Sequence, residues 1–242
     1  MQTDSKAGWS AVGNRFAATR WSLFAAANTS PGGDAARALE ELCGRYRYPV
    51  YAYLRGLGQE PGTSELLTVA FFETLKANGC AGEPKQQQGR FRDFLLRRLN
   101  DFLQASDANA RPEWRSQAQD PALEARYQAE VVAGENAEQC FQRGYALQVL
   151  RGALERLRIE AERAGRLPMF DRLQPLLTSE PAAGALAAIA AELGMQPVAA
   201  LLALKRLRQR FRELAEAELS ETVSNAGDLQ HEREALARVL LK

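Results

Sequence analysis

The most distinctive chemistry in this sequence lies between Lys205 and Arg212, where five cationic residues occur with no acidic residue among them. Guanidinium and ammonium groups bind phosphate oxygens, and such contacts position a protein on nucleic acid without specifying a sequence. The candidate contacts, together with an amide near the start of the same predicted helix, are Gln196, Lys205, Arg206, Arg208 and Arg210. A basic helix face that contacts only water is the alternative interpretation.

Catalysis has few candidate residues. His231 is the only histidine, and the sequence contains no HExxH, GxSxG or GxxxxGK[ST] pattern. The cysteines Cys43, Cys80 and Cys140 form no CxxC pair, so neither a disulfide framework nor a zinc site is indicated. We therefore predict a protein that is not an enzyme, uses no metal or cofactor, and resides in a reducing cytoplasm.

Charge and hydropathy narrow the choice of partners. The 31 basic and 30 acidic residues nearly cancel, so any binding to nucleic acid must use local patches. No apolar run approaches the roughly 20 residues that cross a bilayer, so we predict no membrane partner.

Apolar residues at intervals of three and four recur along the chain and predict an all-α fold. The predicted helices span 16–27, 35–55, 64–77, 90–104, 140–164, 168–178, 184–193, 197–222 and 228–241, with a short helix near 122–132. We predict an N-terminal helical domain over 1–106, a polar linker over 107–138, a second helical domain over 139–224 and a tail helix over 225–242.

The stretch 186–214 predicts two helices joined at a glycine. Gly194 is suited to the positive φ that ends a helix, and Pro197 is suited to the first turn of the next one. This is the outline of a helix-turn-helix unit, whose second helix enters the major groove of DNA. The apolar stripe of that helix, which we expect to be buried, is Leu204, Leu207, Phe211 and Leu214.

Arginines and aromatic residues alternate in GRFRDFLLRRLNDFL, residues 89–103. Grooves for single-stranded DNA combine cations with aromatic faces, so we expect such contacts at Arg90, Arg92, Arg97 and Arg98. For most aromatic residues of the N-terminal half, core packing is the favoured interpretation. These residues are Tyr46, Tyr48, Tyr51, Tyr53, Phe71, Phe72, Phe91, Phe94 and Phe102.

The order of several blocks resembles bacterial extracytoplasmic-function sigma factors, of the sigma-70 family. The blocks are RFAATRWSLFAAA (15–27), ALEELCGRYRYPVYAYLR (38–55), AFFETL (70–75), residues 89–103 and residues 185–214. The resemblance implies a sigma region 2-like bundle that grips core RNA polymerase and the melted promoter. It also implies a sigma region 4-like helix-turn-helix module that reads upstream promoter DNA in transcription initiation.

One departure from the family lies before the paired phenylalanines. Sigma factors of this type carry an acidic cluster there that docks on the polymerase clamp, whereas this chain has only Glu65 after Thr63 and Ser64. The resemblance implies polymerase binding by Thr63, Ser64, Glu65, Phe71 and Phe72. A phosphate on Thr63 or Ser64 would add about −1.5 to −2 charges, and a subgroup without the acidic motif is paired with Ser/Thr kinases. Helix capping by the two hydroxyls is the alternative.

A second departure concerns the reading of bases. Leu201, Leu202 and Ala203 stand where related recognition helices carry polar groups. An apolar helix face can instead be a partner site, so the alternative function is a degenerate sigma-like regulator that acts by protein contact without sequence-specific DNA binding. A third interpretation is that these leucines close onto the rest of the protein.

Overall fold

The computed structural model describes residues 33–77, 90–105, 120–223 and 225–240, and these residues form an all-α fold. Within these ranges there is no strand, and the nine helices are α1 (Gly33–Gly56), α2 (Pro61–Ala77), α3 (Phe91–Ala105), α4 (Pro121–Glu130), α5 (Ala137–Arg163), α6 (Leu167–Leu173), α7 (Ala185–Glu192), α8 (Pro197–Ser220) and α9 (Ala226–Leu240). A 3₁₀ turn, Gln174–Leu176, follows α6. The predicted all-α class is confirmed, and the predicted helix 16–27 lies outside the described residues.

Local sequence sets the helix starts. Asn136 and Gln139 form a reciprocal capping box at the start of α5. The Asp120 carboxylate accepts a hydrogen bond from the Ala122 N–H at 3.0 Å and caps α4. Because caps and first-turn prolines are local signals, most helix ends lie within a few residues of their predicted positions.

One apolar core joins helices from both predicted domains. Tyr46 of α1 stacks on Tyr145 of α5 with 4.7 Å between ring centroids, and Leu236 of α9 packs into the same cluster. The largest fully buried side chains of this core are Tyr46, Tyr145, Phe71, Phe91, Phe141, Leu54 and Leu95. Since α5 packs along α1, the buried surface crosses the predicted domain boundary.

A second apolar cluster holds α8 against the C-terminal half of α5. It contains Leu157 of α5, Phe170 of α6 and Leu214 of α8, all buried. A buried carboxylate lies one turn further along α8, where Glu218 forms ion pairs with Arg45 of α1 and Arg156 of α5. These apolar contacts and ion pairs hold the C-terminal part of α8 against α5 and α1.

The predicted short helix in the polar linker is confirmed as α4, and it packs against α1. Glu124 accepts hydrogen bonds from the Arg55 guanidinium at 2.9 and 3.0 Å and from the Tyr51 hydroxyl. The guanidinium of Arg126 lies over the Tyr48 ring, 3.5 Å from its centroid. Ion pairs and aromatic contacts therefore hold the linker helix against the N-terminal helices.

Within the described ranges, no single helix combines the length and apolar character needed to cross a bilayer. Only α7 and α8 taken together reach that length and composition, and they are bent by 102° relative to each other.

Candidate nucleic-acid interface

The turn between α7 and α8 has the geometry of a glycine-terminated helix end. The Met195 N–H donates to the Ala190 carbonyl at 2.9 Å and the Gly194 N–H donates to the Ala191 carbonyl at 3.2 Å. This pair of bonds is a Schellman motif, and Gly194 adopts the left-handed φ of 63° that the motif requires. The bend of 102° between the helices falls in the range of about 90–120° that is typical of helix-turn-helix units.

The inner face of α8 is apolar, as its spacing predicts. Leu204 and Leu214 are buried, and Leu207 and Phe211 are partly buried against the second cluster. Ala200 and Ala190 are fully buried where α8 crosses α7. The prediction that this stripe packs against the preceding helices is confirmed.

Polar and cationic groups before α8 and in the middle of its outer face are open to solvent. Gln196, Lys205 and Arg206 are exposed. Among the residues that the structure describes, Lys205 and Arg206 have no carboxylate within ion-pair distance. Their charges are therefore available to a polyanion.

Two other arginines of α8 are engaged within the protein. Arg208 donates to the backbone carbonyls of Leu176 at 3.1 Å and Ser179 at 2.6 Å. Arg210 binds Glu160 through two hydrogen bonds of 2.8 and 2.7 Å, which lower the pKa of that carboxyl. Arg208 and Arg210 are thus bound to groups of the protein in this conformation, whereas Lys205 and Arg206 are not.

The same outer face carries exposed apolar side chains. Val198, Leu201 and Leu202 are 68%, 54% and 48% exposed. Leu202 also lines an apolar groove of about 490 Å³ between α5, α6 and α8, whose floor includes Met169 and Met195. Leu201 and Leu202 are therefore about half exposed in the described part of the chain.

The predicted DNA-contacting arginines of α3 differ from one another in exposure and in their partners. Arg92 is 5% exposed, and its guanidinium forms a bidentate ion pair with the fully buried carboxylate of Glu232 at 2.8 and 2.9 Å. Arg90 pairs with Asp93 at 2.6 Å, whereas Arg97 is exposed and Arg98 is partly exposed. Arg92 is thus a core residue in this conformation, which corrects the expectation that it lines a surface groove.

The aromatic residues of the N-terminal half pack as predicted. Phe71 and Phe72, which the family resemblance assigns to polymerase binding, are 2% and 6% exposed and contact each other in the core. All the other aromatic residues of the predicted set are buried as well, except Phe102, which is partly buried. Core packing is confirmed for the set, so none of the buried rings is placed to stack on a base.

The start of α2 differs from the predicted one. The helix begins at Pro61, three residues earlier than predicted, so Thr63 and Ser64 lie inside the first turns and do not cap it. Thr63 is exposed, whereas Ser64 is fully buried with its hydroxyl 3.4 Å from the Gln59 carbonyl oxygen. Of these two hydroxyls, only that of Thr63 is exposed in this conformation.

Glu65, the single acid of that region, is engaged inside the protein. Its carboxylate binds Arg47 at 2.9 Å and accepts the Asp120 N–H, next to α4, at 2.9 Å. The first turn of α2 contains no acidic residue. The free negative charge of this surface is therefore lower than the sequence alone suggests.

Sequence reasoning missed the two buried acids Glu218 and Glu232. Both could have been found from the sequence, because each occupies a position at which the helical spacing of apolar residues predicts a buried side chain. Glu218 follows Leu214 by four positions, and Glu232 precedes Leu236 by four. A carboxylate on the buried face of a helix requires a cationic partner from another element.

Possible metal ligands do not cluster among the described residues, and the described cysteines are buried. These contain no group of three or more His, Cys, Asp or Glu side chains that could hold a metal ion. Cys43 and Cys140 are buried free thiols, and burial raises the pKa of Cys43 to about 12, so it is protonated at neutral pH. Cys80 lies outside the described residues.

No protein-family model, curated protein or solved structure matches this chain.

Proposed function

We propose that the protein is an RNA polymerase sigma factor of the extracytoplasmic-function type, acting in the cytoplasm. The observation that supports this best is the α7–α8 unit, in which a glycine turn sets two helices at 102° and leaves Lys205 and Arg206 exposed. In this proposal residues 139–224 act as the region 4-like module. Gln196, Lys205 and Arg206 face upstream promoter DNA, and the phosphate contacts of the two cations set the position of α8 on the duplex.

The N-terminal helices take the region 2-like role in this proposal. Residues up to 106 bind core RNA polymerase, and Arg90, Arg97 and Arg98 contact the melted strand. Arg92 joins them only if its buried ion pair with Glu232 opens. The two modules act on one promoter, although they share a core in the conformation described above.

Activation by a Ser/Thr protein kinase at Thr63 is part of the proposal. Thr63 is the exposed hydroxyl of the pair, and it lies in the first turn of α2, where the helix dipole favours negative charge. Since Glu65 is already bound to Arg47, a phosphate on Thr63 would add negative charge to a helix start where Glu60 is the exposed acid.

In vitro transcription with purified core polymerase tests the sigma-factor proposal. Thr63→Glu is expected to direct promoter-dependent starts, whereas unmodified wild type is expected to direct few and Thr63→Ala no more than wild type. Thr74→Glu is the matched control, since Thr74 is an exposed threonine near the other end of α2. Equal core binding by wild type, Thr63→Glu and Thr63→Ala would remove the switch, and no start with any variant would contradict the sigma-factor proposal.

A regulator that acts by protein contact is the second candidate, and the exposed Val198, Leu201 and Leu202 beside the apolar groove favour it. Apolar patches of this kind commonly mark partner sites. Absence of binding to DNA, with and without polymerase, would favour this second function.

A further inference from the structure

A polar cleft lies between the start of α3 and the C-terminal helix α9. Its volume is about 440 Å³. The Phe91 N–H donates to the Thr222 carbonyl at 2.9 Å, and the Arg92–Glu232 pair joins the two helices beneath the cleft. Groups about 140 positions apart in sequence therefore face one opening. They are Arg90, Asp93, Arg97, Asp228, His231 and Arg238.

The acids near this cleft are already engaged. Asp93 pairs with Arg90 at 2.6 Å, and Glu232 is buried against Arg92. Asp228 accepts a hydrogen bond from the Asn225 amide at 2.7 Å. The Asn225 amide is neutral, so Asp228 keeps its charge. The cleft is lined by three arginines and two aspartates, so positive charge exceeds negative charge by one without counting His231.

Three cationic or titratable side chains of the cleft lack an acidic partner in the described part of the chain. Arg97 and His231 are exposed and have no ion pair there. Arg238 is exposed and donates its Nε–H to the Glu234 carbonyl at 3.2 Å, which leaves its two terminal amino groups without a described partner. Donors from two helices thus converge on one polar opening.

We propose that this cleft binds a phosphate-bearing anion that bridges α3 and α9, with Arg97 and Arg238 as its main donors and His231 at its edge. Guanidinium groups bind phosphate through paired, charge-assisted hydrogen bonds, and two of them from different helices hold a polyphosphate more tightly than one. The ligand chemistry is that of phosphate oxygens, whether from a free polyphosphate or from the backbone of a nucleic acid. Arg90 and Arg97 also belong to the proposed DNA-contacting set, so the test uses separate probes.

Calorimetric titration of the full chain with inorganic pyrophosphate tests the site. Wild type is expected to bind, and Arg97→Gln and Arg238→Gln are each expected to weaken binding about tenfold, the effect of losing one charged hydrogen-bond group. Arg233→Gln is the matched control, since Arg233 is an exposed arginine of α9 that does not line the cleft. No binding by wild type, or an equal loss in Arg233→Gln, would overturn the proposal.

A competition arm identifies the source of the phosphate. Displacement of pyrophosphate by a short oligothymidylate supports the site with a nucleic-acid backbone as ligand. Retention of pyrophosphate supports the site with a small free polyphosphate as ligand. Arg97→Lys keeps the charge and is expected to retain part of the affinity, which separates loss of the site from misfolding. Failure of transcription initiation leaves these results unchanged, so the two proposals fail separately.

Discussion

The contact between α3 and α9 and the outer face of α8 use the same residue type for opposite purposes. In the first region Arg92 is buried and bound to Glu232, and its charge holds two distant helices together. In the second region Lys205 and Arg206 project into solvent without a described partner. An arginine-rich helix therefore does not by itself define a binding surface; the position of the nearest carboxylate decides its role.

Removing the buried acid is expected to have the largest effect. Glu232→Gln removes the buried carboxylate that binds Arg92 and leaves only Asp93, at 3.9 Å, as an acidic partner, so we expect the free energy of unfolding to fall by about 3–5 kcal/mol. Urea denaturation followed by circular dichroism measures this change. Glu234→Gln is the control, because Glu234 is exposed on the same helix. If the two variants are equally stable, Arg92 and Glu232 do not hold α3 and α9 together.

A substitution in the turn between α7 and α8 is expected to have a smaller effect on stability. Gly194→Ala places a Cβ on a residue with φ of 63°, so we expect a loss of about 1–2 kcal/mol from backbone strain alone, as no atom lies within 4 Å of the added group. Gly44→Ala is a control of opposite sign. Gly44 lies inside α1 with open space around it, and alanine there should stabilise the helix by about 0.5–1 kcal/mol. Thermal unfolding of both variants checks the pair, and a neutral Gly194→Ala would contradict the turn geometry.

The smallest expected effect on stability concerns the linker helix α4, whose contact with α1 depends on pH through Glu124. Partial burial opposes ionisation of Glu124, but hydrogen bonds from Arg55, Tyr51 and Gln128 prevail and lower its pKa below the ordinary 4.5. Its stabilising effect is therefore complete above pH 4.5 and is lost as the pH falls through the lowered value.

Replacing Glu124 tests whether its stabilising effect is lost as the pH falls. Glu124→Gln is expected to lower stability by about 1 kcal/mol at pH 7 and to match wild type in strong acid. Thermal unfolding at a series of pH values measures the difference. A gap between variant and wild type that stays constant with pH would show that the carboxylate charge does not hold α4 in place.

The sequence predicted local structure well and long-range pairing poorly. The α7–α8 turn was readable because Gly194 and Pro197 act within a few residues of themselves. The burial of Arg92 was not, because it depends on α9 folding back over α3, and no local pattern encodes that contact. Glu232 could have indicated this contact, because it is an acidic residue on the apolar, buried face of α9.

The surroundings of the predicted linker also depend on long-range packing. Polar composition between 107 and 138 predicted a linker, and α4 lies there, but its Glu124 and Arg126 contact α1. Composition indicates where a chain is polar. Whether that polar surface faces water or the charges of another helix is set by packing.

We propose that the outer face of α8 binds the phosphate backbone of duplex DNA, and the salt dependence of binding tests this most directly. Each phosphate contact contributes about −0.9 to the slope of log K against log salt concentration, so the double variant Lys205→Gln/Arg206→Gln should flatten the slope by about 2. Arg158→Gln, at an exposed arginine of α5, should leave the slope unchanged. We expect this difference between the variants, and identical slopes for wild type and the double variant would contradict phosphate binding by α8.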